Sequence, residues 1–299
     1  RQHPQQPRAR RSHARSRAGL DLLTRPPSFH PVTAMHHDPI EDQIRARMTR
    51  GGVGSSTILT FLEARRRLLR GDRGMIAESA IEPVPELPHL ETLPGAAEEA
   101  GDLLAQLVVI KLNGGLGTGM GLDRTKSLLP VRDGDTFLDF TARQILHLRS
   151  RTGGDAPRFL LMNSFTTRTE TLEFLRKYPG LPSAGPLDFV QSKVPKLTAE
   201  GAEPVSWPAD PELEWCPPGH GDFYPSLLNS GLLTDLVGRG IRFAFVSNSD
   251  NLGATVDLRI LAHFARSGGS FLMEVAERTS ADRKGGHLAR RGSDGRLLL

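Results

Sequence analysis

The sequence predicts an α/β fold: a mixed, mostly parallel sheet with helices on both faces, preceded by a small helical N-terminal layer. Three observations carry this. Short apolar runs recur from residue 107 onward, LVVIKL (107–112), RFLLMN (158–163), LDFV (187–190), IRFAFVSN (241–248) and SFLMEV (270–275), and their length suits buried strands. Helical patterns lie between them, and strand alternating with helix implies parallel strands joined by crossovers. A chain of 299 residues, 38% of them hydrophobic, can also bury a sizeable core, which excludes disorder, a disulfide miniprotein or a coiled coil as the whole.

Residues 1–34 precede that pattern. They hold seven arginines against one acid, Asp21, and are rich in Pro and Ser, so a disordered basic leader of net +6 is expected, with −2 of the overall +4 left for the rest. Three origins fit it: a polyanion-binding arm, an organelle transit peptide, or translation from upstream of a true start at Met35. The third is preferred, because an ordinary polar helix follows Met35 closely. In addition, only six of the 38 basic residues are lysine, a bias common in GC-rich bacterial genomes.

Residues 35–96 form the second region. Ile40, Ile44 and Met48, then Ile58, Phe61, Leu62 and Leu69, recur at helical spacing and predict two amphipathic helices separated at Gly51–Gly52. Residues 82–96 contain four prolines, each lacking a backbone donor and disfavouring helix before it, so this stretch reads as an extended connector. Residues 97–299 make up the α/β domain. A helix over 137–149 places Phe137, Phe140, Ile145 and Leu148 on one side, and Thr136 with Asp139 forms a capping-box-like start. Another helix starts near Thr255, turns Leu258, Leu261 and Phe264 inward and stops at Gly268–Gly269. No internal repeat is present.

No stretch approaches the roughly 18 consecutive apolar residues of a membrane helix. The one cysteine, Cys216, forms neither an internal disulfide nor a cysteine metal cluster. A cytoplasmic protein with no membrane and no nucleic-acid partner is expected.

The densest chemical signal is VVIKLNGGLGTGMGLDRTKSLLPV (108–131): a buried strand, five glycines in eight residues, then an Arg/Lys pair. A glycine-rich loop at a strand end exposes backbone N–H groups and lets a polyphosphate approach closely. The loop fits neither the dinucleotide fingerprint, whose final glycine position is Met120, nor the P-loop, whose glycine before Lys–Ser is Thr125. Elsewhere the residues alone leave two readings open. Gln191 offers one amide donor and one acceptor, the pair that reads an imide edge, or it is a polar strand end. His220, in the turn PPGHG (217–221), points a ring nitrogen at a phosphate or hydroxyl, or is structural. Asp250 lies just past an apolar strand, where ligands collect in open α/β sheets; it holds Mg²⁺ against phosphate oxygens, or builds a turn with Asn251. Lys193 and Lys196 stay unassigned, and His147 and His263 read as structural. Zinc-ligand spacing, a serine nucleophile elbow and H-E-x-x-H are absent.

Seven segments in one order resemble the catalytic core of the eukaryotic-type UTP–glucose-1-phosphate uridylyltransferases, the UDP-glucose pyrophosphorylases. They are KLNGGLGTGMG with TKSLLPV (111–131), TFLDFTARQI (136–145), LMNSFTTRTET (161–171), FVQSKVPKL (189–197), WCPPGHGDFYPSL (215–227), FVSNSDNLGATVD (245–257) and FLMEVAERTSADRKGGHLAR (271–290). The resemblance implies a nucleotide-diphospho-sugar transferase-like, Rossmann-like fold. It implies nucleotide contacts at Leu112, Asn113, Gly114, Gly115, Lys126, Gln191, Gly219 and Asp250, with Lys126 catalytic and Gln191 reading uracil. It also implies sugar-phosphate contacts at His220 and Asn248, and Mg²⁺ on Asp250. The implied partners are UTP and glucose 1-phosphate. The implied alternatives are a related enzyme for another sugar 1-phosphate (N-acetylglucosamine or galactose), or a non-catalytic UTP-binding remnant. Family members continue with further strands, a second active-site lysine and a left-handed β-helix, whereas this sequence stops at GRLLL, which reads as a strand cut short; the chain alone is therefore expected to be inactive.

Overall fold

A computed structural model describes residues 38–84, 86–96, 98–115, 125–277, 279 and 286–298. The leader at 1–34 lies outside the described residues, as do 116–124 of the glycine loop and 280–285 of the last matching segment.

The chain opens with helices α1 (Pro39–Arg50) and α2 (Ser55–Leu69), broken where expected at Gly51–Gly52. Ile44, Met48, Ile58 and Leu62 close into a core with Val194, while Leu69, at the end of α2, is exposed instead of buried. The connector contains strand β1 (Ile81–Pro83) and leads through the short α3 (Ala100–Ala105) into strand β2 (Leu107–Asn113). Then come the β3 (Pro130–Arg132) and β4 (Asp135–Thr136) hairpin, α4 (Phe137–Thr152), β5 (Arg158–Asn163), α5 (Arg168–Leu175) and β6 (Asp188–Val190). Short strands β7 (Val194–Pro195) and β8 (Trp215–Cys216) pair antiparallel, followed by α6 (Phe223–Asn229), α7 (Leu232–Gly238), β9 (Phe243–Asn248) and α8 (Leu258–Ser267). Strands β10 (Ala289–Arg291) and β11 (Leu297–Leu298) form a small antiparallel sheet with β1. Leu297 and Leu298 of the terminal run thus lie in a strand. No helix among the described residues is long and apolar enough to cross a membrane.

The central sheet has the order β6-β5-β2-β9 with every pairing parallel. Side chains alternate across it. Val109, Phe159 and Leu161 face α3, α4 and α8, whereas Val108, Ile110, Leu160 and Met162 face α6 and α7. Both faces are covered over β5 and β2. Over β9 the second face is open, with Ala244, Val246 and Asn248 exposed.

Two expectations need correction. SFLMEV (270–275) carries no strand, and Phe271, Met273 and Val275 are exposed. A strand requires a ladder partner as well as an apolar run, and no described strand pairs with this segment. The last helix begins at Leu258 rather than near Thr255, because the Asp257 carboxylate accepts from the Arg259 backbone N–H (2.8 Å) and caps it there.

The start of α4 is a full capping box: Thr136 Oγ1 accepts from the Asp139 N–H and Asp139 accepts from the Thr136 N–H (2.8 Å). The buried Asp139 carboxylate also accepts from Tyr178 Oη (2.5 Å) and Lys177 Nζ (2.6 Å). Burial opposes its charge, but these hydrogen bonds outweigh that and hold its carboxyl well below the usual carboxylate range. Burial and the same carboxylate push the Tyr178 phenol up to about 12. The depressed carboxyl contributes stability above the unfolded carboxylate value, and that contribution is lost as pH falls from about 4 downward. Asp139→Asn should lower unfolding free energy by about 2–3 kcal/mol near neutrality, from charged hydrogen bonds lost, and should flatten the acid limb of stability against pH. Urea melts of both proteins at neutral and acid pH check both effects.

Candidate active site

The strand order places a crevice beside β2. The chain leaves β2 for β5 and β6 on one side and returns through α6 and α7 to β9 on the other, so the strand order reverses between β2 and β9, where ligands collect at the C-terminal strand ends of open α/β sheets. The cavity there has a volume of about 260 Å³. Nine of the ten residues singled out in the sequence line it: Leu112, Gly114, Gly115, Lys126, Gln191, Gly219, His220, Asn248 and Asp250. Met162, Pro217 and Ser249 complete the wall. Met162 gave no signal beyond a place in an apolar run.

Asn113 is the exception. In the strand alternation its side chain falls on the opposite face from Leu112. There Nδ2 donates to Asn163 Oδ1 (2.8 Å) and Thr171 Oγ1 (2.9 Å). Asn163 in turn donates to Asp188 (3.0 Å), which also accepts from Arg168 Nε (2.8 Å). The Asn113 side chain therefore ties together the ends of three strands, and Asn113 is not among the residues that line the cavity.

Gln191 is 6% exposed, its N–H bonds to Asn163 O (2.8 Å), and its side-chain amide has no hydrogen-bond partner among the described residues. The amide opens to the cavity, where its donor and acceptor are available to a ligand. Gly114 packs directly against that amide: a Cβ there would collide with Gln191 Oε1. Glycine at this position leaves the Gln191 side chain its place.

The His220 turn is held from below. Gly219 has φ +97°, a conformation that favours glycine, and the one-turn helix His220–Asp222 follows it. Buried Asp222 accepts from the Ser192 N–H (2.6 Å) and Ser226 Oγ (2.5 Å), joining the residue after Gln191 to the start of α6. Thr57 of α2 hydrogen-bonds to Ser192 Oγ (2.8 Å), so the helical layer buttresses the same wall. Asp222 was missed in the sequence, where its only mark was an acid just before a helix.

Lys126 and Asp250 face each other across the cavity mouth, Nζ to Oδ2 2.5 Å. The Lys126 N–H also bonds to Gly115 O (3.2 Å), which brings the two ends of the glycine loop together. Among the described residues Asp250 is the one carboxylate on the cavity wall, and no group of three or more His, Cys, Asp or Glu side chains could hold a metal by itself. One carboxylate suits Mg²⁺, which dehydrates reluctantly and is usually held by one or two carboxylates plus phosphate oxygens. A structural zinc would need four protein ligands.

A family profile described as UTP–glucose-1-phosphate uridylyltransferase matches residues 58–299. The chain belongs to this family. It is 44% identical over 218 residues to a probable UTP–glucose-1-phosphate uridylyltransferase of Schizosaccharomyces pombe, covering 72% of this chain and 43% of the relative. It is 43% identical over 234 residues to the UTP–glucose-1-phosphate uridylyltransferase of Solanum tuberosum, covering 76% and 49%. Among solved structures, UDP-glucose pyrophosphorylase of Leishmania major, an S374W mutant in complex with UDP-glucose, superimposes with a TM-score of 0.80 at 44% identity over 85% of this chain and 53% of that one. A UDP-glucose phosphorylase of Trypanosoma brucei gives 0.81 at 46% identity over 87% and 56%. The chain thus spans about half the length of the relatives it matches. The chain shares the nucleotide-sugar transferase fold of these solved structures.

Lys126 is 42% and Asp250 27% exposed, so their ion pair adds little to stability. Lys126→Ala should change unfolding free energy by less than about 1 kcal/mol, as measured by thermal or urea melting.

Proposed function

We propose that this cavity is the UTP site of a uridylyltransferase that forms UDP-glucose and pyrophosphate from UTP and glucose 1-phosphate. The observation that carries the reading is the unpartnered amide of Gln191, packed beside Gly114 and open to a cavity that Lys126 also lines. Uracil presents an N3–H donor beside a carbonyl acceptor, and one primary amide matches both. The triphosphate then runs toward the backbone N–H groups of Gly114 and Gly115 and the Lys126 ammonium.

In the reaction a phosphate oxygen of glucose 1-phosphate attacks the α-phosphorus of UTP. A new P–O bond forms, the bond from the α-phosphorus to the bridging oxygen breaks, and pyrophosphate leaves with that electron pair. Such transfer asks the protein for positioning and charge compensation rather than covalent chemistry. Lys126 compensates charge as it spreads onto the leaving group, having first exchanged Asp250 for phosphate. Asp250, released from Lys126, would hold Mg²⁺, which supplies further charge neutralisation at the phosphates when bound. His220 and Asn248, on opposite walls, contact the sugar phosphate.

Calorimetric titration with UTP and CTP tests the base-reading role without requiring turnover. Cytosine has its donor and acceptor reversed on this edge, so the wild-type chain should prefer UTP. Gln191→Ala should cost about 1–3 kcal/mol of UTP binding while leaving CTP almost unchanged. Equal loss of both nucleotides would overturn the assignment. Gly114→Ala, which forces the amide aside, should give a similar loss, and the double variant should be far from additive because both act on one group. Lys126→Ala should weaken UTP but not uridine. Formation of UTP from UDP-glucose and pyrophosphate separates an enzyme from a nucleotide-binding protein.

A further inference from the structure

Strand β2 carries a second unusual residue on the face turned away from the nucleotide cavity. Lys111 is 2% exposed in the middle of the parallel sheet, and no carboxylate among the described residues pairs with it. Nζ donates one hydrogen bond, to Ala254 O (2.9 Å), and lies 5.9 Å from the Phe245 ring centre. An ammonium has three donors, so two are unused by the protein. Its register partner on β9, Ser247, has a buried Oγ with no hydrogen-bond partner in the structure. Burial pushes the Lys111 ammonium down to about 8, the mark of a charge taken from water with nothing opposite it.

Lys111 lines a separate cleft of about 270 Å³ between α4, β2, β9 and the segment leading into α8. The polar side chains on its wall are Lys111, Gln144, His147, Arg151 and Thr255, and no Asp or Glu is among them. His147 and Arg151 are exposed, and neither has a charged partner among the described residues. The rest of the wall is apolar, including Ile145, Leu148, Phe245 and Val256. A core histidine and a solvated arginine would account for the rim, but not for a lysine sequestered beneath it. Structural burial of lysine ordinarily comes with a carboxylate.

We propose that this cleft binds a small organic anion, whose acid group sits against Lys111 beneath Arg151 and whose carbon body lies on the apolar wall. An acid group supplies what the ammonium lacks, a charged acceptor for its free donors, in a place where low local dielectric strengthens the pairing. The volume suits a compact ligand such as a ring or short chain bearing one carboxylate or phosphate. The same strand thus serves two sites, with Leu112 facing the nucleotide cavity and Lys111 the anion cleft.

The test uses the full chain with benzoate, phenyl phosphate and, as the neutral counterpart, benzyl alcohol. Calorimetric titration is paired with mass spectrometry of Lys111 acetylation with and without each probe. One or both anions should bind saturably, at least tenfold more tightly than benzyl alcohol, and should protect Lys111 from acetylation. Binding should fall at least tenfold in Lys111→Met and in the rim variant Arg151→Gln, whose exposed site leaves folding intact. It should be unchanged in Lys126→Ala, which reports on the nucleotide cavity instead. Comparison of the two anions tells a carboxylate site from a phosphate site. The proposal is overturned if neither anion saturates, if the alcohol binds as well as they do, if Arg151→Gln has no effect, or if Lys126→Ala abolishes binding.

Discussion

Strand β2 has a parallel neighbour on each side, and the chain reaches those neighbours in opposite directions. That reversal is the constraint on which the rest depends. A parallel sheet must put its connections at the strand ends, and the cavity lies at the C-terminal ends of β2 and β9, where the strand order reverses. Leu112, Asn248 and the glycines at 114 and 115 reach the crevice through strand register alone. Lys126 and Asp250, from the connections after β2 and β9, meet across its mouth.

The walls are fixed by charges that are buried and fully engaged. Asp222 takes hydrogen bonds from the Gln191–Ser192 segment and from α6, Asp188 takes them from Asn163 and Arg168, and Asp139 anchors α4 to the segment after α5. Within the cavity the pattern inverts. Gln191 presents an amide without a hydrogen-bond partner among the described residues, and the Lys126 and Asp250 side chains pair with each other, a pair cheap to break because both are partly exposed. Satisfied polar groups hold the frame, and unsatisfied or weakly held ones mark where a ligand belongs.

Much of this was legible in the sequence where the signal is local. The capping box of α4 needs only Thr136 and Asp139 three residues apart, and the strands of the central sheet announce themselves as apolar runs. What the sequence hid is what distant residues decide. Tyr178 and Lys177 join Asp139 from far along the chain, and the need for glycine at 114 comes from Gln191. SFLMEV has the composition of a strand and no described partner to pair with, so composition misled. Asn113 sits in the strongest motif, yet alternation turns its side chain away from the cavity. The same alternation buries Lys111 on the far face, where a motif read as a string shows only a polar residue beside a loop.

A crystal structure of the chain with UTP bound tests the central claim most directly. The account predicts the uracil edge paired with the Gln191 amide against Gly114, the triphosphate on Gly115 and Lys126, and the Lys126–Asp250 pair opened. Uracil bound away from Gln191, or a bound triphosphate with that ion pair still closed, would contradict it.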